Sequence, residues 1–261
     1  MITAVDVHTH IQLADYDHDR RDVVLRAKSE GVGMIVAGTD AKSSCKAVEC
    51  CAQYPSLVFA TVGIHPTETY ATDDLFLLSD LLSRDEVIGV GECGLDYFHE
   101  KTNEGREKQL ILFEKHIIFS HTTRKPLIVH CREAFFDART LLSSYRSSLL
   151  AEPGIAHFFT GTIDDARALL DLNFSFTVGG LLTFNHSLDD VIRFIPRDHI
   201  LVETDAPFVA PAPFRGTRNE PSYLWRVINA YASLLRVRVE EVAPLLLQNT
   251  QRIFGKRWEA C

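Results

Sequence analysis

Two histidines one residue apart, His8 and His10, end an apolar stretch that reads Ala-Val-Asp-Val-His-Thr-His-Ile from Ala4 to Ile11. In an extended strand alternate side chains share a face, so both imidazoles and Asp6 point one way while Val5 and Val7 take the other. Neutral imidazole is the commonest metal ligand, and two rings held side by side preset half a coordination sphere. The pair alone does not separate a metal site from two hydrogen-bonded histidines, so the reading depends on what other strands deliver.

Other apolar runs end in the same kind of residue. They close on Gly63-Ile64-His65-Pro66, Gly91-Glu92-Cys93-Gly94-Leu95-Asp96-Tyr97, His130-Cys131-Arg132, His157, and Glu203-Thr204-Asp205-Ala206-Pro207. Five of the eleven histidines sit at such ends, whereas His18, His99, His116, His121, His186 and His199 fall in helices or loops and read as surface or capping groups. The converging set is His8, His10, Glu92, His130, His157 and Asp205. It exceeds the three protein ligands of a single catalytic zinc and suits two divalent ions, Mg²⁺, Zn²⁺ or Mn²⁺. Glu92 lies in chain order between the first pair of histidines and the second, which makes it the expected bridge. Cys93 and Cys131 have the opposite parity to the ligands beside them and read as small apolar wall residues. Arg132 shares the parity of His130 and suits a bidentate phosphate contact.

These residues need a scaffold that gathers strand ends. Strand-like runs recur at Val5–His8, Gly33–Gly38, Val58–Ile64, Val87–Glu92, Leu127–His130, Ile155–Phe159, Phe174–Gly179 and Ile200–Glu203, without the alternation of half-exposed hairpins, which predicts parallel strands covered on both faces. Helical periodicity fills the gaps at Arg20–Glu30, Ser43–Tyr54, Asp73–Ser83, Glu104–Ser120, Phe135–Leu150, Asp164–Leu172 and Leu188–Ile195. After a Pro-rich loop from Pro207 to Pro221 it returns at Ser222–Arg236 and Val239–Phe254. Eight strand–helix units in 261 residues predict a (β/α)₈ barrel forming a single domain over residues 1–261. A doubly wound open sheet is the competitor, but His8-Thr9-His10 stands where its Gly-rich phosphate loop would be. In a barrel, catalytic groups come from the C-terminal strand ends, where these ligands lie.

Composition narrows the class. The chain is 46% hydrophobic and 24% charged with a net charge of −8, ordinary for a globular fold and without the basic surface that would announce nucleic acid. Six cysteines, Cys45, Cys50, Cys51, Cys93, Cys131 and Cys261, show neither CxxC nor disulfide-like spacing, and the first strand begins without a cleavable leader. This predicts a reduced, cytoplasmic location. No apolar run reaches the roughly 20 residues of a membrane span, and no obligatory protein partner is implied.

The motifs quoted above, together with His157-Phe158-Phe159-Thr160-Gly161 and Arg218-Asn219-Glu220-Pro221, resemble in order and along almost the whole chain those of the TatD-type metal-dependent deoxyribonucleases. The resemblance implies a dinuclear site in which His8, His10 and Asp205 hold one ion, His130 and His157 the other, and Glu92 both. It implies hydrolysis of DNA, as a 3′–5′ exonuclease on single strands. Asp205 is then expected to orient or deprotonate the attacking water. Arg132, Arg215 and Arg218 would contact phosphate, His65 and Tyr97 would line the nucleotide site or stack a base, and Asp6, Asp96 and Glu203 would support the ligands. Two departures stand out: Phe158 occupies a place where the family often has Cys, on a side chain expected to point away from the site, and Asn185 occupies the loop that often carries Lys. An amide or ester hydrolase, or a deacylase editing D-aminoacyl-tRNA, would use the same ligands. Related barrels of that kind often bridge their metals with a carboxylated lysine on the fourth strand, where this chain has Glu92.

Overall fold

A computed structural model describes residues 1–68, 75–256 and 258. Its eight strands are β1 (Ala4–Thr9), β2 (Val32–Ala37), β3 (Val58–Val62), β4 (Val87–Asp96), β5 (Leu127–Arg132), β6 (Gly154–Ala156), β7 (Ser175–Val178) and β8 (Ile200–Val202). They form one sheet in the order β1 to β8, each paired in parallel with the next. The sheet curls until its first and last strands meet. At that seam Asp205 N donates to His8 O at 2.9 Å and His10 N to Ala206 O at 2.7 Å. The Asp6 carboxylate accepts from Thr204 N at 2.9 Å and from the Thr204 hydroxyl. Nearly every strand residue is buried, which explains the apolar runs, since helices cover the outer face.

The helices are α1 (Arg20–Ser29), α2 (Ala41–Gln53), α3 (Leu75–Leu82), α4 (Asn103–Thr123), α5 (Phe135–Ser144), α6 (Ile163–Leu170), α7 (Asp189–Phe194), α8 (Leu224–Leu235) and α9 (Val239–Phe254). The predicted start of α3 at Asp73 lies outside the described residues, as does Cys261. The five described cysteines are free thiols, and no helix among the described residues is long and apolar enough to cross a membrane. Two boundaries differ most from expectation. Helix α5 stops at Ser144, where a separate 3₁₀ turn over Arg146–Ser148 takes over. Strand β4 runs four residues past Glu92, to Asp96, through a register shift between Val90 and Cys93.

That extension depends on glycine. Gly94 has φ +135°, and a Cβ there would lie 2.0 Å from His130 O on β5, so only glycine lets β4 pass that close to its neighbour. Gly94→Ala is therefore expected to cost more than about 3 kcal/mol in denaturant unfolding. Gly255→Ala, at φ +63° with no atom within 4 Å of the new Cβ, should cost about 1–2 kcal/mol. Equal losses would show that the approach of β4 to β5 is not what Gly94 serves.

Candidate metal centre

Glu92 is 4% exposed and lies at the floor of the barrel's C-terminal mouth. Its two oxygens face different partners. Oε2 lies 3.2 Å from His8 Nε2 and 3.6 Å from His10 Nε2. Oε1 lies 3.0 Å from His130 Nδ1, 3.0 Å from His157 Nε2 and 3.4 Å from His65 Nε2. Asp205 joins the first group, its Oδ1 3.5 Å from His10 Nε2 and 3.9 Å from His8 Nε2. It holds a left-handed backbone at φ +54° immediately past the seam.

The remaining ring nitrogens fix the tautomers. A carbonyl can only accept, so His10 Nδ1–H donates to Ala37 O at 2.8 Å and leaves the Nε2 lone pair facing the centre. His130 Nε2 lies 3.1 Å from Asp96 Oδ2, which directs the Nδ1 lone pair toward Glu92. His157 Nδ1 lies 3.5 Å from Glu203 Oε2, within ion-pair range but outside hydrogen-bond geometry. The other Glu203 oxygen accepts from Phe158 N at 2.8 Å. His8 stacks on His157 with centroids 3.8 Å apart, and its Nε2 meets His10 Nε2 at 3.1 Å. Two imidazole lone pairs and a carboxylate oxygen converging within 3.6 Å are a donor set that a cation satisfies and neutral rings do not. The residues therefore fit a metal, and the triads His8–His10–Glu92 and His65–Glu92–His130 each have ligand atoms close enough to share one.

The electrostatics agree. Burial, reinforced by the charge on His157, pushes His8 down to about 4, so it is a neutral ligand near pH 7. Burial would also lower His10 and His130, but in His10 the hydrogen bond to Asp205 and the charge of Glu92, and in His130 the bonds to Asp96 and Glu92, outweigh it and raise both. His157 is raised well above its ordinary value, the charges of Glu92 and Glu203 overcoming burial. Burial would raise Glu92, yet the surrounding histidines hold it well below the usual carboxylate range.

Above this floor opens a cavity of about 700 Å³, lined by His10, His65, Asp96, His99, Arg132, Phe158 and Phe208 among others. That is room for a nucleotide-sized ligand. Of the predicted substrate contacts, His65 and Arg132 line it. Tyr97 does not: it is buried, with its hydroxyl donating to Asp137 Oδ2 at 2.7 Å. Arg218 is spent on Asp19, at 2.6 Å, and Arg215 lies over the Phe184 ring, its guanidinium carbon 4.0 Å from the centroid. Strand parity reveals a face but not what a loop folds onto, and these three residues follow the last paired residues of their strands.

Phe158 was expected to point away, and it lines the cavity instead. Strand β6 ends at Ala156 and Phe158 has φ +45°, so the alternation that governs a strand no longer applies. Asn185 lines a narrow apolar crevice that shares Phe158 and Thr160 with the cavity. Asp6 supports the seam and not a ring nitrogen; it accepts from His8 N at 3.3 Å.

Two histidines read as surface groups have other places. His99 lines the cavity, its Nδ1 2.8 Å from Asp96 Oδ2. The Asp-x-x-His spacing just past β4 was the available signal. His116 is fully buried on α4, where Nδ1–H donates to Leu112 O and Nε2 accepts from Ile64 N at 3.0 Å. It thereby fixes the backbone that carries His65.

The pattern of the family described as TatD related DNase matches residues 5–255. An uncharacterized metal-dependent hydrolase of Bacillus subtilis, YabD, is 35% identical over 254 residues, covering 95% of this chain and 98% of its own. A protein of Pantoea vagans named 3′-5′ ssDNA/RNA exonuclease TatD is 30% identical over 259 residues, covering 95% and 98%. The crystal structure of YjjV, a TatD homologue from Escherichia coli K12, superposes with a TM-score of 0.89 at 28% identity, covering 98% of this chain and 99% of its own.

A proton and a cation compete for the same lone pairs here, so metal binding must release protons from His10, His130 and His157, whose affinity for them is raised. Calorimetry in buffers of different ionisation enthalpy should therefore show net proton release, with affinity for Zn²⁺ or Mn²⁺ still rising with pH above the ordinary histidine range. Glu92→Gln should bind at least tenfold more weakly. A pH-independent affinity would remove these imidazoles from the ligand set.

Proposed function

Because the chain belongs to the TatD related DNase family of metal-dependent hydrolases, we propose that it hydrolyses phosphodiester bonds of single-stranded DNA, removing nucleotides from the 3′ end. The observation that carries this reading is the division of Glu92, one oxygen toward His8 and His10 and the other toward His130 and His157. We assign His8, His10 and Asp205 to one divalent cation and His130 and His157 to a second, with Glu92 shared; Mg²⁺, Zn²⁺ and Mn²⁺ all accept nitrogen and oxygen donors. When bound, the cations supply Lewis acidity toward a phosphoryl oxygen and toward water, offsetting charge that a chain of net charge −8 does not offset globally.

The chain's own groups do the rest. Asp205 orients the attacking water and takes its proton, since its carboxylate lines the cavity beside His10. Arg132 grips the phosphate: it is exposed at the cavity lip, and among the described residues no carboxylate pairs with it. His65 offers a second polar contact from the opposite side of Glu92. Asp96 and Glu203 hold His130 and His157 in orientation. The relative named as a 3′-5′ ssDNA/RNA exonuclease supports the substrate class and the direction. A guanidinium on the cavity lip, stacked on Phe98 but paired with no carboxylate among the described residues, favours a phosphodiester over the neutral amide or ester that the alternative hydrolase readings would place there.

The direct test is a 5′-labelled single-stranded oligonucleotide incubated with each cation, with and without chelator. Stepwise shortening from the 3′ end, abolished by chelation, is expected. Intact DNA alongside turnover of an amide, an ester or D-aminoacyl-tRNA would replace this reading. Asp205→Asn should lower kcat by about 10²–10⁴-fold with KM little changed; a rise in KM alone would remove Asp205 from proton transfer. Arg132→Ala should lower kcat/KM by about 10- to 150-fold and flatten the log–log salt dependence of DNA binding by about 0.7. An unchanged salt slope would make Arg132 a scaffold residue.

A further inference from the structure

Two exposed phenylalanines flank the cavity mouth, one on either side of the Glu92 floor. Phe208 follows β8, is 51% exposed, lines the cavity and sets its ring edge-on to His10 with centroids 6.1 Å apart. Its backbone is pinned at both ends, Phe208 N donating to Asp205 O at 2.8 Å and Asn219 Nδ2 to Phe208 O at 2.7 Å. Phe98 follows β4 and is 43% exposed. The guanidinium carbon of Arg132, on the cavity lip, lies 3.8 Å from its ring centroid, Lys101 Nζ lies 5.4 Å from it, and the His99 ring meets its edge at 4.9 Å. In an eight-stranded barrel ordered β1 to β8, β4 and β8 stand opposite each other. Phe208 therefore lines the mouth from the β8 side, and Phe98 stands on the opposite, β4 side beside Arg132 and His99, which line it.

Leaving large apolar rings in water opposes folding economy, and neither ring packs into the core. An exposed aromatic ring is a platform on which unpaired nucleobases stack, because every base has a π-face, and the cations beside Phe98 suit the negative charge of a linking phosphate. The floor between the platforms carries the metal donors. A strand crossing the mouth would thus have its phosphate over Glu92 and a base toward each rim.

We propose that Phe208 and the Phe98–Arg132 pair are two base-stacking subsites that hold the nucleosides on either side of the scissile phosphate. This rests on the phosphodiesterase reading above and goes beyond it, because it makes selection of single strands a property of two rings. Adjacent bases drawn to opposite rims must be unstacked from each other and unpaired, so a duplex does not fit until its end frays.

The test uses Phe98→Ala and Phe208→Ala in the full chain, against oligonucleotides and against methyl p-nitrophenyl phosphate, which has a phosphodiester and no base. Each variant should lose about 5- to 150-fold in kcat/KM on single-stranded DNA, with the loss confined to substrates that carry bases and metal content retained. An abasic nucleotide on one side of the scissile bond should make one variant silent, and on the other side the other. Fluorescence anisotropy with chelator present reads binding without cleavage, and each variant should bind the same oligonucleotide more weakly by a similar factor. Wild-type binding by both variants of an enzyme that cleaves DNA would overturn the platforms alone. Equal losses on the base-free diester, or penalties that abasic substitution leaves intact, would make the rings scaffold. A wild-type chain that neither binds nor cleaves nucleic acid would overturn the phosphodiesterase reading with them.

Discussion

A carboxylate buried at the bottom of a barrel is untenable unless charge or hydrogen bonds surround it, and Glu92 is surrounded by five imidazoles. Much of the architecture above the sheet can be read as meeting that requirement. Strand β1 presents two rings to one oxygen. Strands β3, β5 and the end of β6 present three to the other. Behind them Ala37 O and Asp96 take up the outward-facing nitrogens of His10 and His130, turning their lone pairs inward, and Glu203 stands 3.5 Å from that of His157. The site is thus a set of concentric constraints, each layer fixing the protonation and direction of the next.

This explains why so much of the centre was legible in the sequence. Parity on a parallel strand determines which side chains share a face, and barrel topology brings all C-terminal ends to one place. His8, His10, Glu92, His130, His157 and Asp205 could therefore be gathered from their positions at the ends of apolar runs. Legibility stopped where the ladders stop. Tyr97, Phe158, Arg215 and Arg218 follow the last paired residues, and there the chain obeys turn geometry and tertiary partners. Tyr97 turned inward to Asp137, Arg218 back to Asp19, and Phe158 into the mouth. His116 escaped for the opposite reason. A lone histidine on a helix carries no periodic signal that it will reach across to a strand's backbone, as it does at Ile64.

Membership of a family of metal-dependent hydrolases and the geometry of the donors both point to a metal centre. The family's pattern extends over residues 5–255. The split of Glu92 between two imidazole groups would suggest a metal centre in a chain with no relatives. The strongly lowered carboxylate and the raised histidines around it express one fact in two ways: positive charge is wanted at this point, and a proton or a cation can provide it.

The seam between β1 and the segment after β8 has a bearing on how the molecule is made. His8 and His10 are synthesised almost two hundred residues before Asp205, Thr204 and Ala206, which close the barrel against them. No N-terminal fragment, however well its early strand–helix units pack, contains both sides of the first ligand group. Closing so long a loop is entropically expensive and is compensated only when the last strand docks. Barrel closure and assembly of that ligand group are consequently a single late event, and a nascent chain stays without a finished active centre until its eighth strand has been synthesised.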